Sequence, residues 1–204
     1  MTRLSRTLVL TTIVVVAVIA VPATLAVNVH VRVEGKTQTI FGPTEPVVDV
    51  PANALDALRT TALLGEFFLH VTTTSFGPYV DQIGLFPASA SSGWVFKLNN
   101  AAGQVGADQT TLKDGDTLLW YWADFDPTTY AGPKTLVLKK TRANCYAVSL
   151  ADDKGTLTPA AGATLRVGSK RTVSTSAGAA CVGPHRGLLV RAVLQGAVRS
   201  NALA

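Results

Sequence analysis

The chain has 204 residues, enough for one large or two small domains. Only 15% of its residues are charged and 48% are hydrophobic, and it contains 17 glycines. This composition is typical of extracellular β modules and argues against a cytosolic helical enzyme.

The first 26 residues have the three parts of a secretory signal peptide. Arg3 and Arg6 form a basic flank, residues 8–21 form an apolar run, and Pro22 ends that run shortly before the small residue Ala26. Cleavage after Ala26 would leave a secreted chain, free or associated with the cell wall, that does not span the membrane. The alternative is an uncleaved anchor, but a spanning helix needs about 20 apolar residues. An exported chain is not expected to bind nucleic acid.

A first module is predicted over residues 27–126. Valine alternates with polar residues over 27–34, which predicts a strand with one buried face, and residues 37–41 can return as a second strand. A helix is predicted to begin after Asn53 as its N-cap, with Asp56 in its first turn, and to end at Gly65 in the left-handed conformation.

Four more segments of this module have strand character, namely residues 67–73, 79–83, 93–98 and 117–122. The order of elements predicts one helix packed against a mixed sheet. Trp94 and Phe96 alternate, as do Trp120 and Trp122, so each pair shares one face of the sheet. We expect Phe96 and one of Trp120 and Trp122 to pack in the core.

Residues 127–133 have the composition of a linker, and a second module is predicted over 134–204. Its strand-like segments are 136–138, 146–148, 164–167 and 188–192, and glycine and proline separate them, which favours a small antiparallel β-sandwich. Cys145 and Cys181 are the two cysteines of the chain, and in an exported protein we expect them to form a disulfide.

Charge is divided unevenly between the modules. Residues 27–133 carry five basic and eleven acidic side chains, a net charge of −6, whereas residues 134–204 carry eleven basic and two acidic ones, a net charge of +9. The densest basic clusters are residues 139–142 and 170–171. They suit an anionic cell-wall polymer as partner, but a solvated face that also docks on the acidic first module is the favoured interpretation.

Three blocks of the first module carry a family resemblance: residues 67–83 (FFLHVTTTSFGPYVDQI), residues 93–100 (GWVFKLNN), and residues 105–108 followed by 112–122 (VGAD, LKDGDTLLWYW). In order and spacing they resemble the transcobalamin C-terminal-like domain, a β-grasp module that caps cobalamin in the cobalamin carriers. The second module resembles immunoglobulin-like or carboxypeptidase-regulatory-like modules. The expected fold is therefore mainly β, with an α+β β-grasp domain followed by a β-sandwich.

The resemblance implies a small hydrophobic or corrinoid ligand, with cobalamin as the bound group if any is held. It also implies ligand contacts at the aromatic-glycine turn and the strand after it, and at the hairpin aromatic. In this chain those positions are Phe76, Gly77, Pro78, Tyr79, Val80 and Trp94.

No catalytic or metal-binding motif is found. The three histidines lie in no His-Glu-x-x-His arrangement, and the sequence has no Gly-x-Ser-x-Gly elbow and no phosphate-binding loop. We therefore predict no catalytic residues, no metal site, and a binding protein rather than an enzyme. The alternatives are a structural or adhesive cell-wall-surface protein without a small ligand, and a hydrolase whose residues form no recognisable motif.

Overall fold

The computed structural model describes residues 26–204. The predicted signal segment lies outside the described residues except for Ala26. The first module contains β1 (Ala26–Glu34), β2 (Thr39–Phe41), β3 (Val47–Pro51), α1 (Ala54–Leu64), β4 (Leu69–Thr74), β5 (Gly77–Ile83), β6 (Phe86–Pro87), β7 (Ser92–Leu98), β8 (Ala101–Ala102) and β9 (Thr117–Asp124). The second contains β10 (Thr135–Arg142), β11 (Cys145–Ala151), β12 (Leu157–Pro159), β13 (Thr164–Val167), β14 (Lys170–Val173), β15 (Ala179–Cys181), β16 (Val190–Val193) and β17 (Ala202–Leu203).

The main sheet of the first module is built around β1. Its strand order is β2-β1-β9-β7-β8, and β3 pairs with the N-terminal half of β1. β1 and β9 run parallel, whereas β9 and β7 are antiparallel, so the sheet is mixed as predicted. Val29, Val31 and Val33 are fully buried under α1 and its neighbours.

The opposite face of β1 differs from the prediction of a single buried face. Arg32 and Glu34 are 3% and 0% exposed. They are buried because the second module packs against this face, a contact that the alternation within one strand cannot reveal.

Helix α1 begins as predicted. The Asn53 side chain accepts a hydrogen bond from the Asp56 N–H at 2.8 Å, which satisfies one of the free amides of the first turn. Its end differs from the prediction, because Gly65 has φ −94° rather than a left-handed conformation. Glycine is required there because a Cβ would lie 2.7 Å from the Phe41 ring and 2.9 Å from the Phe67 ring.

Removal of the Asn53 cap is expected to cause a modest loss of stability. Asn53→Ala should lower the free energy of unfolding by about 1 kcal/mol, since it removes this acceptor. A urea titration measures the change, and Asn53→Ser, which keeps a side-chain oxygen, is the control that should recover most of it. Equal losses in both variants would contradict the capping role.

A second, three-stranded sheet of order β4-β5-β6 lies beside the main sheet. Val80 and Ile83 of β5 anchor it in the core of the module. The β4–β5 turn holds Phe76, which is 98% exposed, and Gly77, whose φ of 109° suits glycine. The hairpin tip therefore presents an aromatic side chain to solvent.

The second module consists of two four-stranded sheets, one formed by β10, β11, β12 and β15 and the other by β13, β14, β16 and β17. Their facing side chains, such as Leu136 and Val148 against Leu165 and Val190, enclose a separate core. The predicted disulfide is present, and it joins Cys145 and Cys181 across β11 and β15. The chain is thus mainly β as predicted, although the short strands β3, β6, β8, β12, β14, β15 and β17 were not.

The two modules share an interface rich in charge. The buried carboxylate of Glu34 pairs with Arg32 at 3.2 Å, with Arg199 at 3.0 Å and also with Arg191, and the last two belong to the second module. Arg32 also pairs with Glu45 at 3.0 Å. Beside this cluster, Val198 packs against apolar side chains of β9.

Candidate functional site

A cavity of about 340 Å³, here called the edge cleft, lies along the outer side of β7. β9 covers one side of β7. On the other side, β8 pairs only with Lys97 and Leu98 and Ser92 forms an isolated bridge with Ser89, so Gly93 to Val95 have no strand partner there among residues 26–204. The lining residues come from β5, β7, the segment after β8, β9, the linker and the second module. They include Pro78, Tyr79, Val80, Trp94, Val95, Phe96, Gly103, Trp120, Tyr121, Phe125, Tyr130, Gly132 and Asp153.

Aromatic rings form the rigid part of the cleft. Trp94 packs edge-to-face on Trp122 with centroids 5.7 Å apart, and its indole N–H donates to the Phe86 carbonyl at 2.8 Å. Phe96 and Trp120 pack with centroids 5.1 Å apart. Because these rings are fixed by neighbours, the wall exists before any ligand binds, which lowers the entropic cost of binding.

One glycine lets the chain approach this wall. A Cβ at Gly103 would lie 2.2 Å from the Phe96 ring, so only glycine allows the segment after β8 to cross the face of that ring. The wall at Gly132 has more room. A Cβ there would meet Ala123, Phe125 and the Tyr121 hydroxyl at 3.8–3.9 Å, which are ordinary contacts.

The Tyr121 hydroxyl is a polar group that faces this largely aromatic cleft. Tyr121 is 2% exposed, and its hydroxyl has no hydrogen-bond partner among residues 26–204. Burial raises the pKa of the Tyr121 phenol, and the nearby Asp153 carboxylate raises it further. The phenol is therefore neutral and free to donate or accept a hydrogen bond. On the other face of β9, the Trp120 indole N–H is buried and also has no acceptor in the described part of the chain.

The second module supplies one wall of the cleft. Lys97 is fully buried, and its ammonium donates to the carbonyls of Ala151 at 3.1 Å and Asp152 at 2.8 Å. Burial lowers the pKa of Lys97, an effect that Asp153 and Asp152 partly oppose. The Ala102 N–H also donates to the Asp153 carbonyl at 2.9 Å. These bonds hold the loop after β11 against the end of β7 and set the position of Asp153.

The site residues predicted from the resemblance fall into two places. Pro78, Tyr79, Val80 and Trp94 all line the edge cleft. Phe76 and Gly77 do not line it and lie at the hairpin tip immediately before Pro78. Whether any of the six contacts a ligand stays a prediction.

Several cleft residues were not predicted. Tyr121 lies between the two tryptophans of β9, and Tyr130 and Gly132 belong to the predicted linker. Asp153 was assigned to the second module. Tyr121 is placed by the pairing of β9 with β7, in which it lies opposite Val95. For Tyr130, Gly132 and Asp153 the sequence offers no signal, because the packing of the linker and the second module brings them to the cleft.

Three further features bear on function, namely metal binding, membrane spanning and a second cavity. Within residues 26–204, no group of three or more His, Cys, Asp and Glu side chains could hold a metal ion. In the same range no helix has the length and apolar character needed to cross a membrane. A second cavity of about 340 Å³ lies between the modules beside Trp122 and Arg199, and a Lys36–Asp124 ion pair at 3.3 Å lies along its wall.

Comparison with known proteins gives two matches. Residues 63–124 match a family model described as a domain of unknown function, DUF4430, and this range covers β4 to β9 and most of the cleft walls. The crystal structure of haptocorrin in complex with Cbi resembles half of this chain, with a TM-score of 0.42 and 16% identity. The match covers 26% of the haptocorrin chain. No curated protein matches the chain.

Proposed function

We propose that this chain is an exported, non-enzymatic binding protein that holds a small, flat, largely apolar ligand in the edge cleft. The observation that carries the proposal is a preformed cavity walled by Trp94, Phe96, Tyr121 and Phe125 at an open sheet edge. Its volume lies at the lower end of the range for small-molecule sites, about 300–1,000 Å³. Mainly aromatic walls with few polar groups are typical of such sites.

A corrinoid is the ligand class that the motif resemblance implies, and the cleft fits it in one way. A corrin ring with its side chains is too large to enter the cavity entirely, so one edge would insert between Tyr79 and Trp94. The rest of the ring would lie against the β4–β5 hairpin, where Phe76 is 98% exposed. Both groups of predicted contact residues would then act on one ligand.

The proposal predicts saturable binding that tryptophan fluorescence can follow. Two of the three tryptophans line the cleft, and the third packs on Trp94. Cobinamide should quench this emission, after correction with free tryptophan. Gly132→Leu should weaken binding on the order of tenfold, because the backbone there is not left-handed and the new side chain would fill the cavity.

Two further variants distinguish ligand contacts in the edge cleft from contacts at the tip of the β4–β5 hairpin. Gly132→Ala fits with ordinary contacts and should bind nearly normally, whereas Phe76→Ala should weaken cobinamide binding several-fold without lowering stability. Quenching that Gly132→Leu leaves unaltered would place the ligand elsewhere. No saturable quenching by cobinamide or cobalamin would remove the corrinoid from the proposal.

A second candidate function is adhesion to an anionic cell-wall polymer. Lys139, Lys140 and Arg142 of β10 remain exposed, as do Lys170 and Arg171 of β14, so these basic residues are not used by the interface. Sedimentation with isolated cell wall that is abolished by salt would support this role. Sedimentation that salt leaves unchanged would argue against it.

A further inference from the structure

We propose that the ligand of the edge cleft carries a positively charged amine, which Asp153 and the Tyr121 hydroxyl bind within the aromatic walls. This inference rests on the proposed function, since it names the chemistry of a ligand in the same cavity. It assigns a role to the second module, because Asp153 belongs to the loop that follows β11.

Asp153 is the charged side chain of the cleft lining. Its carboxylate is 56% exposed, and Lys97 approaches one oxygen, Oδ1, at 3.5 Å. Lys97 is already held by two backbone carbonyls at shorter distances, so it neutralises Asp153 incompletely. The carboxylate therefore keeps much of its negative charge at the lining of the cleft.

Tyr121 provides a second, independent indication of a polar ligand group. Its side chain is 2% exposed, lines the cavity and makes no hydrogen bond within the described range. The hydroxyl oxygen is not one of the enclosed, unpartnered atoms of the described residues, so water reaches it from the cleft, and a ligand that displaces this water has to replace its hydrogen bond. Asp153 and Tyr121 line the same cavity, so one bound ligand can contact both side chains. An ammonium group can donate one hydrogen bond to an Asp153 carboxylate oxygen and another to the Tyr121 hydroxyl oxygen.

The surrounding rings and charges favour a cation over other groups. Ammonium groups are attracted to the faces of Trp, Tyr and Phe, and this attraction grows when water is excluded. Among residues 26–204 no basic side chain belongs to the cleft lining, and the nearby Lys97 is fully buried, so an anionic ligand would find no charged partner there and would be repelled by Asp153. A wholly neutral apolar ligand would leave the Tyr121 hydroxyl unpaired.

Two probes of the same shape test the inference. 2-Phenylethylammonium and 2-phenylethanol share a phenyl ring and an ethyl spacer and differ in the charged terminal group. Both should bind the purified protein, as measured by tryptophan fluorescence and calorimetry, with about tenfold higher affinity for the ammonium, the ratio that 1.4 kcal/mol supplies. High salt should reduce the preference, because Asp153 is partly exposed.

Matched variants test the contributions of the two groups. Asp153→Asn should bring the ratio of affinities close to one, because the amide carries no charge and can hydrogen-bond to either terminal group. Tyr121→Phe should weaken both probes, because the ammonium and the alcohol hydroxyl can each hydrogen-bond to the Tyr121 hydroxyl. Asp49→Asn removes an equal charge from an exposed position on β3, outside the cleft lining, and should leave the ratio unaltered.

The outcomes separate this inference from the proposed function. Equal binding of both probes, or a preference that Asp153→Asn leaves intact, overturns the inference while the cleft remains a binding site. If neither probe binds but cobinamide does and Gly132→Leu blocks it, the inference also fails and the proposed function stands. If neither probe nor any corrinoid binds, the proposed function fails with it.

Discussion

Replacing Glu34 by glutamine is expected to lower the free energy of unfolding by about 3–5 kcal/mol, the usual loss when one partner of a buried ion pair is removed. Glu34 is fully buried and is the shared partner of Arg32, Arg191 and Arg199. Glutamine keeps the size of the side chain but leaves these guanidinium groups close together without the central carboxylate. For a chain of this length, the expected fall in Tm is roughly 6–20 °C.

The control for this prediction is Glu45→Gln. Glu45 is 20% exposed and pairs with Arg32 alone, so its loss should cost about 1 kcal/mol or less. Calorimetry gives both values. Since Arg191 and Arg199 come from the second module, Glu34→Gln should also speed proteolytic cleavage between residues 127 and 133. Equal effects of the two variants on Tm would show that Glu34 is not the centre of the interface.

The sequence could indicate that the modules attract each other but not through which residues. Their net charges of −6 and +9 favour electrostatic docking, and the structure shows it at one buried carboxylate. Within β1, however, Glu34 occupies a position that alternation assigns to solvent. Arg191 and Arg199 lie more than 150 residues away in the chain, so a local pattern carries no information about their contact.

The candidate site was predictable to the extent that neighbouring residues build it. Strand and turn signals fixed the β4–β5 hairpin, and the resemblance pointed to Pro78, Tyr79, Val80 and Trp94, which share one cavity. Tyr121 could have been suspected, because alternation turns it away from the face that Trp120 and Trp122 share. Asp153 could not, because its position depends on Lys97 binding the carbonyls of another module.

Removing the disulfide is expected to destabilise the second module by about 3–4 kcal/mol. The bond joins residues 36 positions apart, and the closure of a loop of that size in the unfolded chain sets this value. Cys145→Ser combined with Cys181→Ser should therefore lower Tm by roughly 6–16 °C. Its effect should be concentrated in the sandwich, because the two strands it joins, β11 and β15, belong to one sheet there.

A reductant distinguishes the covalent bond from the side chains that form it. Dithiothreitol should move the urea midpoint of the natural chain to that of the double serine variant and should not change the variant itself. The cleft tryptophans lie in the first module. Their emission should therefore change during unfolding of the second module only if the loop after β11 releases Lys97. A natural chain whose midpoint ignores dithiothreitol under unfolding conditions would show that the bond contributes little. A loss of cleft binding in the reduced protein, at urea concentrations where the first module is still folded, would instead show that the sandwich positions Asp153.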